Sequence, residues 1–182
     1  MASAFSHALM AITIGKTYSK KESTIKFFLL GCFCAVIPDA DVLTFKLGIS
    51  YDDFLGHRGF FHSFVFCLIL SLIIIFVFYK SIKIFSAKGL LLLSFFFLCG
   101  SSHALLDMLT DGGRGVAIFA PFDNTRYFFP WRPIKVSPLS VSRFFSEYGW
   151  KVIKSEMIWI GIPCAIYMLA LASIKKFRQK LN

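Results

Sequence analysis

The chain has 182 residues, of which 57% are hydrophobic and 23 are phenylalanine. This composition lies well outside that of soluble globular domains and indicates a membrane protein. The formal charge of +10 would suit nucleic acid, but most of the lysines lie in short connections between apolar runs. We therefore expect membrane lipids as partners and disfavour nucleic acid, and no protein partner is predicted.

Five apolar runs follow one another along the chain and predict an all-α, polytopic membrane helix bundle. Residues 64–79 with the four residues before them, 89–108 and 157–174 approach the roughly 20 residues that a spanning helix requires. The first two runs, residues 2–15 and 25–37, are long enough for a buried helix but short for a crossing. We expect about five helices, three full spans and two shorter N-terminal helices, in one domain over residues 1–182.

Basic residues mark every second connection between these runs. If each run crosses or enters the bilayer, the lysine-rich connections lie on one face, which the positive-inside rule assigns to the cytoplasm. The N-terminus is then outside and the C-terminus cytoplasmic. The residues concerned are Lys16, Lys20, Lys21 and Lys26, then Lys80, Lys83 and Lys88, and in the tail Lys175, Lys176, Arg178 and Lys180.

The long connection over residues 109–156 contains FAPFDNTRYFFPWRPIKVSP, which is too rich in aromatic residues to be a solvated linker. Aromatic side chains such as Tyr127 and Trp131 suit the head-group layer of a bilayer. We expect this non-cytoplasmic loop to form a lid or collar on the membrane surface. An aromatic anchor with no role in binding is the alternative.

Histidines and acids collect at the non-cytoplasmic end of the predicted bundle. His103 and Asp107 in HALLD are four residues apart, so they share one face of a helix and could grip a single ion. Of the ten carboxylates only Glu22 falls on the lysine-rich side. The other candidates lie near the ends of apolar runs: His7, Asp39 and Asp41 in PDAD, and His57 and His62 in HRGFFHS.

Ionised carboxylates near hydrocarbon cost several kcal/mol each unless something compensates them, and one divalent cation can compensate several. Imidazole nitrogen together with carboxylate oxygen is typical of zinc sites, with manganese or iron as alternatives. His57 and His62 are too far apart in angle for one helical face. We expect a helix that begins near Gly59, with His57 approaching from the loop and His62 from the first turns.

The ordered set PDAD, HRGFFHS, SHALLDMLTDGG and PFDNTRYFFPWRP, after an N-terminal histidine, resembles the YdjM-like family of bacterial inner-membrane proteins. This family is described as metal-dependent hydrolases and is partly associated with the SOS response. The resemblance runs from His7 to about Pro138. It implies a multi-pass protein of the bacterial inner membrane and leaves the substrate open.

A more distant likeness is to the zinc-dependent phospholipase C and single-strand nuclease superfamily, helical enzymes that hold clustered metals through histidine and aspartate. Its HxxxD pair would correspond to His103 and Asp107. His7, Asp41 and His57 would be their partners.

The leading hypothesis is a membrane-bound metal-dependent hydrolase that cleaves a phosphoester in a lipid or lipid-linked substrate with a metal-activated water. One to three ions, most simply Zn²⁺, would be held by six ligands: His7, Asp41, His57, His62, His103 and Asp107. Asp41 or Asp39 would orient the water. Arg58, and less directly Arg126 or Arg132, would hold phosphate. Ser63 and Asp111 would support these groups through hydrogen bonds.

Two rival hypotheses remain open. A metal-binding transporter would place ionisable groups near the bilayer midplane, and the middles of residues 64–79 and 157–174 contain none. A structural membrane protein with a metal staple would use the same ligands without turnover.

Overall fold

A computed structural model describes residues 1–18 and 24–181, apart from the side chains of residues 141, 180 and 181. The predictions on Lys20, Lys21 and Glu22 therefore concern residues outside the described ranges. Within the described ranges the chain is helical and forms no β-strand. The α-helices are α1 (Ala4–Gly15), α2 (Ile25–Val36), α3 (Phe64–Phe78), α4 (Ala87–Met108), α5 (Val141–Phe144), α6 (Glu147–Glu156) and α7 (Ile162–Leu181).

Three helical stretches are long and apolar enough to cross a membrane, and two apolar helices are shorter. The expected all-α bundle of three long and two short helices is thus confirmed. The long stretches are Ile25–Leu47, Ala87–Met108 and Glu147–Gln179, and the short helices are α1 and α3. The second short helix is therefore α3, where we had expected residues 25–37.

Local sequence features explain why the helical stretch that begins at Ile25 is longer than expected and why α3 is shorter. After α2 the chain continues as a 3₁₀ helix, Ile37–Leu47, with Pro38 in its first turn, where a missing backbone N–H does no harm. It ends at Gly48, whose φ of 76° is left-handed. The proline therefore ends only the α-helical part of this stretch.

The start of α3 corrects a second expectation. The helix begins at Phe64 and not near Gly59, because the Ser63 hydroxyl caps it by accepting a hydrogen bond from Phe66 N at 3.1 Å. The preceding residues Phe60–His62 form a separate 3₁₀ turn. His62 is consequently held in this turn and points into the protein, where it is buried.

A cluster of aromatic rings packs α2 against α4. Phe27 and Phe95 are buried and stacked, with ring centroids 3.7 Å apart. Gly31 permits this contact, since a Cβ there would lie 2.5 Å from Phe95 Cζ. The close packing of α2 on α4 brings the segment that follows α2 beside the C-terminal turns of α4.

The connection after α4 folds back over the same end of the bundle. An antiparallel bridge joins Val116 to Tyr127, and a parallel bridge joins Thr110 to Ile134. Ala117 N donates to the Arg58 carbonyl and Phe64 N donates to the Ile118 carbonyl, both at 3.0 Å. The loop is therefore docked on the segment that carries His57 and Arg58. Its role as a lid stays a prediction.

We predict that Lys83 and Asp111, which flank the two ends of α4, lie on opposite faces of the membrane. The 22 residues of α4 span about 33 Å, close to the thickness of a hydrocarbon core. Single cysteines at the two positions, in a background without the five native cysteines, should react with an impermeant maleimide from opposite sides. Labelling of both from one side would contradict this topology.

Candidate metal centre

Five side chains from four parts of the chain meet at the end of the bundle beneath the folded loop. α1 contributes His7, the 3₁₀ helix contributes Asp39, the turn before α3 contributes His62, and α4 contributes His103 and Asp107 one turn apart. The three imidazoles and Asp107 have no exposed surface, and Asp39 is 8% exposed. These residues are far apart in sequence, so tertiary packing alone brings them together.

The potential ligand atoms face one another at short range. His103 Nε2 lies 3.0 Å from His62 Nε2 and 3.3 Å from Asp39 Oδ1, while His62 Nε2 lies 3.6 Å from Asp107 Oδ2. His7 Nε2 is 3.6 Å from Asp107 Oδ1 and 4.0 Å from Asp39 Oδ2. Zinc–ligand bonds of about 2.0 to 2.1 Å place two ligands of a tetrahedron roughly 3.3 Å apart. The observed separations bracket that value.

Several of these buried atoms have no hydrogen-bond partner. They are both ring nitrogens of His7 and both carboxylate oxygens of Asp39. A buried polar group without a partner is costly, by about 1 to 3 kcal/mol and more when it is charged. The cluster therefore suits a cation for three reasons. Its nitrogen and oxygen atoms are metal ligands, their separations match those around a metal ion, and several of them have no hydrogen-bond partner.

The charges near this cluster do not balance. Asp39, Asp41 and Asp107 are buried together with one guanidinium, that of Arg58. The Met1 ammonium lies 3.9 Å from Asp107 Oδ2, so with neutral imidazoles these groups carry a formal charge of −1. Burial opposes a proton on His62, yet Asp107, Asp39 and Asp41 raise its pKa well above the ordinary value. The site thus attracts positive charge.

Asp41 lies beside the cluster and contacts two of the histidines. His57 Nδ1 donates to Asp41 Oδ1 at 2.6 Å, and His62 Nδ1 lies 3.1 Å from Asp41 Oδ2. Asp41, His57 and His62 could hold a second ion. Because the carboxylate already binds His57, these contacts also suit the carboxylate that orients ligand imidazoles in metal sites.

The Arg58 side chain points into the protein and does not reach the surface. Its side chain has no exposed surface, and Nε donates to Asp107 Oδ2 at 3.1 Å. Nη1 donates to the Gly112 carbonyl at 2.8 Å and Nη2 to Thr110 Oγ1 at 2.9 Å. A positive φ of 62° turns the residue inward. In this geometry Arg58 is the counter-ion that positions Asp107, and its contact with phosphate stays a prediction.

Two further contacts fix the orientation of the α4 residues. His103 Nδ1 donates to the Ala35 carbonyl at 2.7 Å, which leaves the Nε2 lone pair directed at the cluster. Asp107 Oδ1 accepts from Ala2 N at 2.8 Å. Such outer hydrogen bonds are the usual means by which proteins fix metal ligands.

The remaining predicted residues lie outside the cluster. The Ser63 hydroxyl caps α3. Asp111 accepts from Lys135 Nζ at 2.6 Å and from Val136 N at 2.9 Å. Arg126 donates to the carbonyls of His57 at 2.9 Å and Tyr51 at 2.8 Å, and the exposed Arg132 lies over the Phe128 ring. Among these, Arg126 supports the segment that carries His57.

Sequence reasoning missed Glu156, a buried carboxylate at the end of α6. It accepts hydrogen bonds from Ser3 N at 2.5 Å, Ser3 Oγ at 2.6 Å and Ser6 Oγ at 2.9 Å. The carboxylate therefore holds the first turn of α1, which carries His7, against the last long helix. Its position at the border of an apolar run was the available signal, since an acid there needs a partner.

The fold and the cluster define a polytopic membrane protein with a buried histidine–aspartate centre. A search of protein families matches residues 1–178 to "YdjM inner membrane protein", and the chain belongs to that family. It is 37% identical over 168 residues to inner membrane protein YbcI of Escherichia coli (strain K12), an alignment that covers 92% of this chain and 95% of the relative. No solved structure gives a significant match.

The comparisons confirm the expected family and the inner-membrane class. Neither the family name nor the name of the relative states an enzymatic activity or a metal. The expected hydrolysis, zinc, SOS association and likeness to zinc-dependent phospholipase C stay predictions.

We predict that Glu156→Ala lowers the stability of the bundle by about 1 to 3 kcal/mol, because it leaves the partners on Ser3 and Ser6 unsatisfied in a buried site. Denaturant unfolding of the protein in detergent would measure this. Glu147→Ala, which removes an exposed carboxylate from the other end of α6, is the matched control and should change stability little. Equal effects of the two substitutions would refute the assigned role.

Proposed function

We propose that this protein is a membrane-embedded metal-dependent hydrolase of the bacterial inner membrane. The observation that carries the proposal is the group of converging, buried imidazole and carboxylate atoms whose charge and hydrogen bonds are unmet without a cation. Structural ion pairs do not leave such atoms unpaired, because a buried charge without a partner is strongly destabilising.

The ion would be held by His7, Asp39, His62, His103 and Asp107, with the group around Asp41 and His57 as the place for a second one. Zn²⁺ suits this mixture of nitrogen and oxygen donors, and Mn²⁺ or Fe²⁺ would also be accepted. When bound, such an ion lowers the pKa of a coordinated water and polarises an ester oxygen.

The chain's own residues have separable tasks in this proposal. Arg58 neutralises Asp107 and fixes its orientation. Asp41 holds His57 and lies against His62, so it sets the position of both rings. Asp39 has two carboxylate oxygens without hydrogen bonds, and one of them is free to accept a proton from a water or to orient it.

A lipid or lipid-linked phosphoester is the substrate class that best suits the surroundings. The docked loop exposes Phe122 and Trp131, which are 87% and 59% exposed. Aromatic rings of this kind settle at the level of lipid head groups. Exposed Arg132 would contact the phosphate, and Arg126 would act indirectly by holding the Tyr51 and His57 backbone.

We also propose that the site faces the extracytoplasmic side, with the C-terminus in the cytoplasm. The support is the distribution of basic residues: Lys80, Lys83, Lys175 and Lys176 all lie at the opposite end from the cluster, and basic residues mark cytoplasmic loops.

A structural metal site is the second candidate. Four of the five ligand residues have no exposed surface, and structural sites are typically closed, whereas catalytic sites keep an open position. A hydrolase with this centre requires the loop over residues 109–134 to move before substrate can approach.

We predict that the purified protein binds a divalent metal and that Asp39→Asn and His103→Gln weaken this binding by more than roughly 100-fold. Loss of a ligand should exceed the 10- to 100-fold effect of changing a supporting residue. Elemental analysis and metal titration of the protein in detergent would measure it. Asp52→Asn, which removes an exposed carboxylate paired with Arg114, is the control. Equal metal content in all variants would refute the site.

We predict metal-dependent hydrolysis of a phosphoester by the metal-loaded protein in mixed micelles. Phospholipids, polyisoprenyl phosphates and single-stranded nucleic acid should be tested in parallel, and we expect turnover only with a lipid class. Asp39→Asn should reduce the rate by at least roughly 100-fold, the lower part of the range for general acid–base and metal-bound groups. A protein that keeps its metal but hydrolyses none of the three classes would have a structural site.

A further inference from the structure

A crevice runs along the line where α7 meets α1. It contains a cavity of about 400 Å³ lined by Lys16, Phe28, Met168 and Lys175, and a separate cavity of about 530 Å³ beside the same two helices is lined by Met10, Ile14 and Tyr167. Only 11% of the most apolar part of Glu147–Gln179 is buried, compared with 56% for α4. The last long helix is therefore loosely covered, and its groove with α1 opens towards the bilayer.

The two ends of this crevice differ in chemistry. Away from its mouth the cavity is lined by apolar side chains, including Phe28, Met168 and Leu171. At its mouth stand two ammonium groups: Lys175 Nζ donates to the Lys16 carbonyl at 2.8 Å, and Lys16 Nζ lies 5.2 Å from the centre of the Phe28 ring. Each ammonium keeps N–H donors for another acceptor, because lysine has three.

The dimensions suit a lipid that occupies one leaflet. From Lys175 at the mouth to Met168, α7 rises about 10 Å, which lies within the roughly 15 Å depth of half a hydrocarbon core. We propose that the crevice between α1 and α7 binds an anionic phospholipid, with one acyl chain along Phe28 and Met168 and the phosphate between Lys16 and Lys175. Complementary charge favours this occupant over a second copy of the chain, whose own tail is equally basic.

This lipid site lies at the opposite end of the bundle from the metal cluster and does not depend on the proposed hydrolysis. It would be a resident lipid that fills the gap under α7 and ties the basic tail to the membrane. Basic side chains at the membrane surface recognise anionic head groups in this way.

The test is native mass spectrometry of the full protein in detergent, titrated with phosphatidylglycerol or with phosphatidylcholine of the same chains. We expect the first phosphatidylglycerol to bind at least about 10-fold more tightly than phosphatidylcholine. The double variant Lys16→Gln/Lys175→Gln should lose roughly 10- to 30-fold in phosphatidylglycerol affinity, the loss expected for two lysines at a head group. The control Lys83→Gln/Lys176→Gln removes the same charge outside the crevice and should bind normally.

A second pair of variants tests the acyl-chain part with all lysines in place. Ala172→Trp fills the crevice, because Ala172 lines the cavity beside Lys175, and should abolish the first binding event. Ala170→Trp adds the same ring two residues away on α7 and should not. The proposal would be overturned if the crevice and control variants lost equal phosphatidylglycerol affinity, or if the protein showed no preference for phosphatidylglycerol. A dimer without bound lipid would also overturn it.

Discussion

The burial of Asp39, Asp41 and Asp107 in one small volume is the constraint on which the rest of the structure depends. Each carboxylate removed from water costs several kcal/mol unless positive charge or hydrogen-bond donors surround it. The Arg58 guanidinium and the Met1 ammonium, which lies 3.9 Å from Asp107 Oδ2, supply positive charge, and backbone N–H groups supply further donors. These are too few for three carboxylates. The remaining demand is what a divalent cation would meet, and it explains why four separate segments converge on the same point.

The same constraint accounts for the irregular backbone around the site. In a bilayer, backbone that is not regularly helical is tolerated only where protein covers it. The 3₁₀ helix after α2, the turn before α3 and the left-handed Arg58 all lie under the folded loop. The loop is held by main-chain hydrogen bonds from Ala117 and to Ile118. Thus the connection that covers the cluster is also what allows the ligand-bearing segments to depart from regular helices.

Much of the metal cluster could be predicted from the sequence, because helical spacing and the membrane topology together determine where several of its residues lie. The spacing of His103 and Asp107 follows from helical periodicity, and the alternation of basic connections placed the histidines at one end. Other features depend on tertiary contacts that no local pattern records. The inward direction of Arg58 requires a positive φ, which is unfavourable for arginine and is maintained only by its buried partners. Glu156 gave a weak signal, because its partners Ser3 and Ser6 are about 150 residues away.

The different surroundings of Asp39 and Asp41 follow from the kind of helix that carries them. With three residues per turn, side chains two positions apart on a 3₁₀ helix point about 240° apart. On an extended strand they would share one face and compete for the same partners. Asp39 therefore faces His103 and His7, while Asp41 faces His57 and the Arg58 backbone. The PDAD motif thus supplies one acid whose oxygens are unmet and one whose oxygens are already bound, a division of tasks that a helical but not an extended conformation after Pro38 allows.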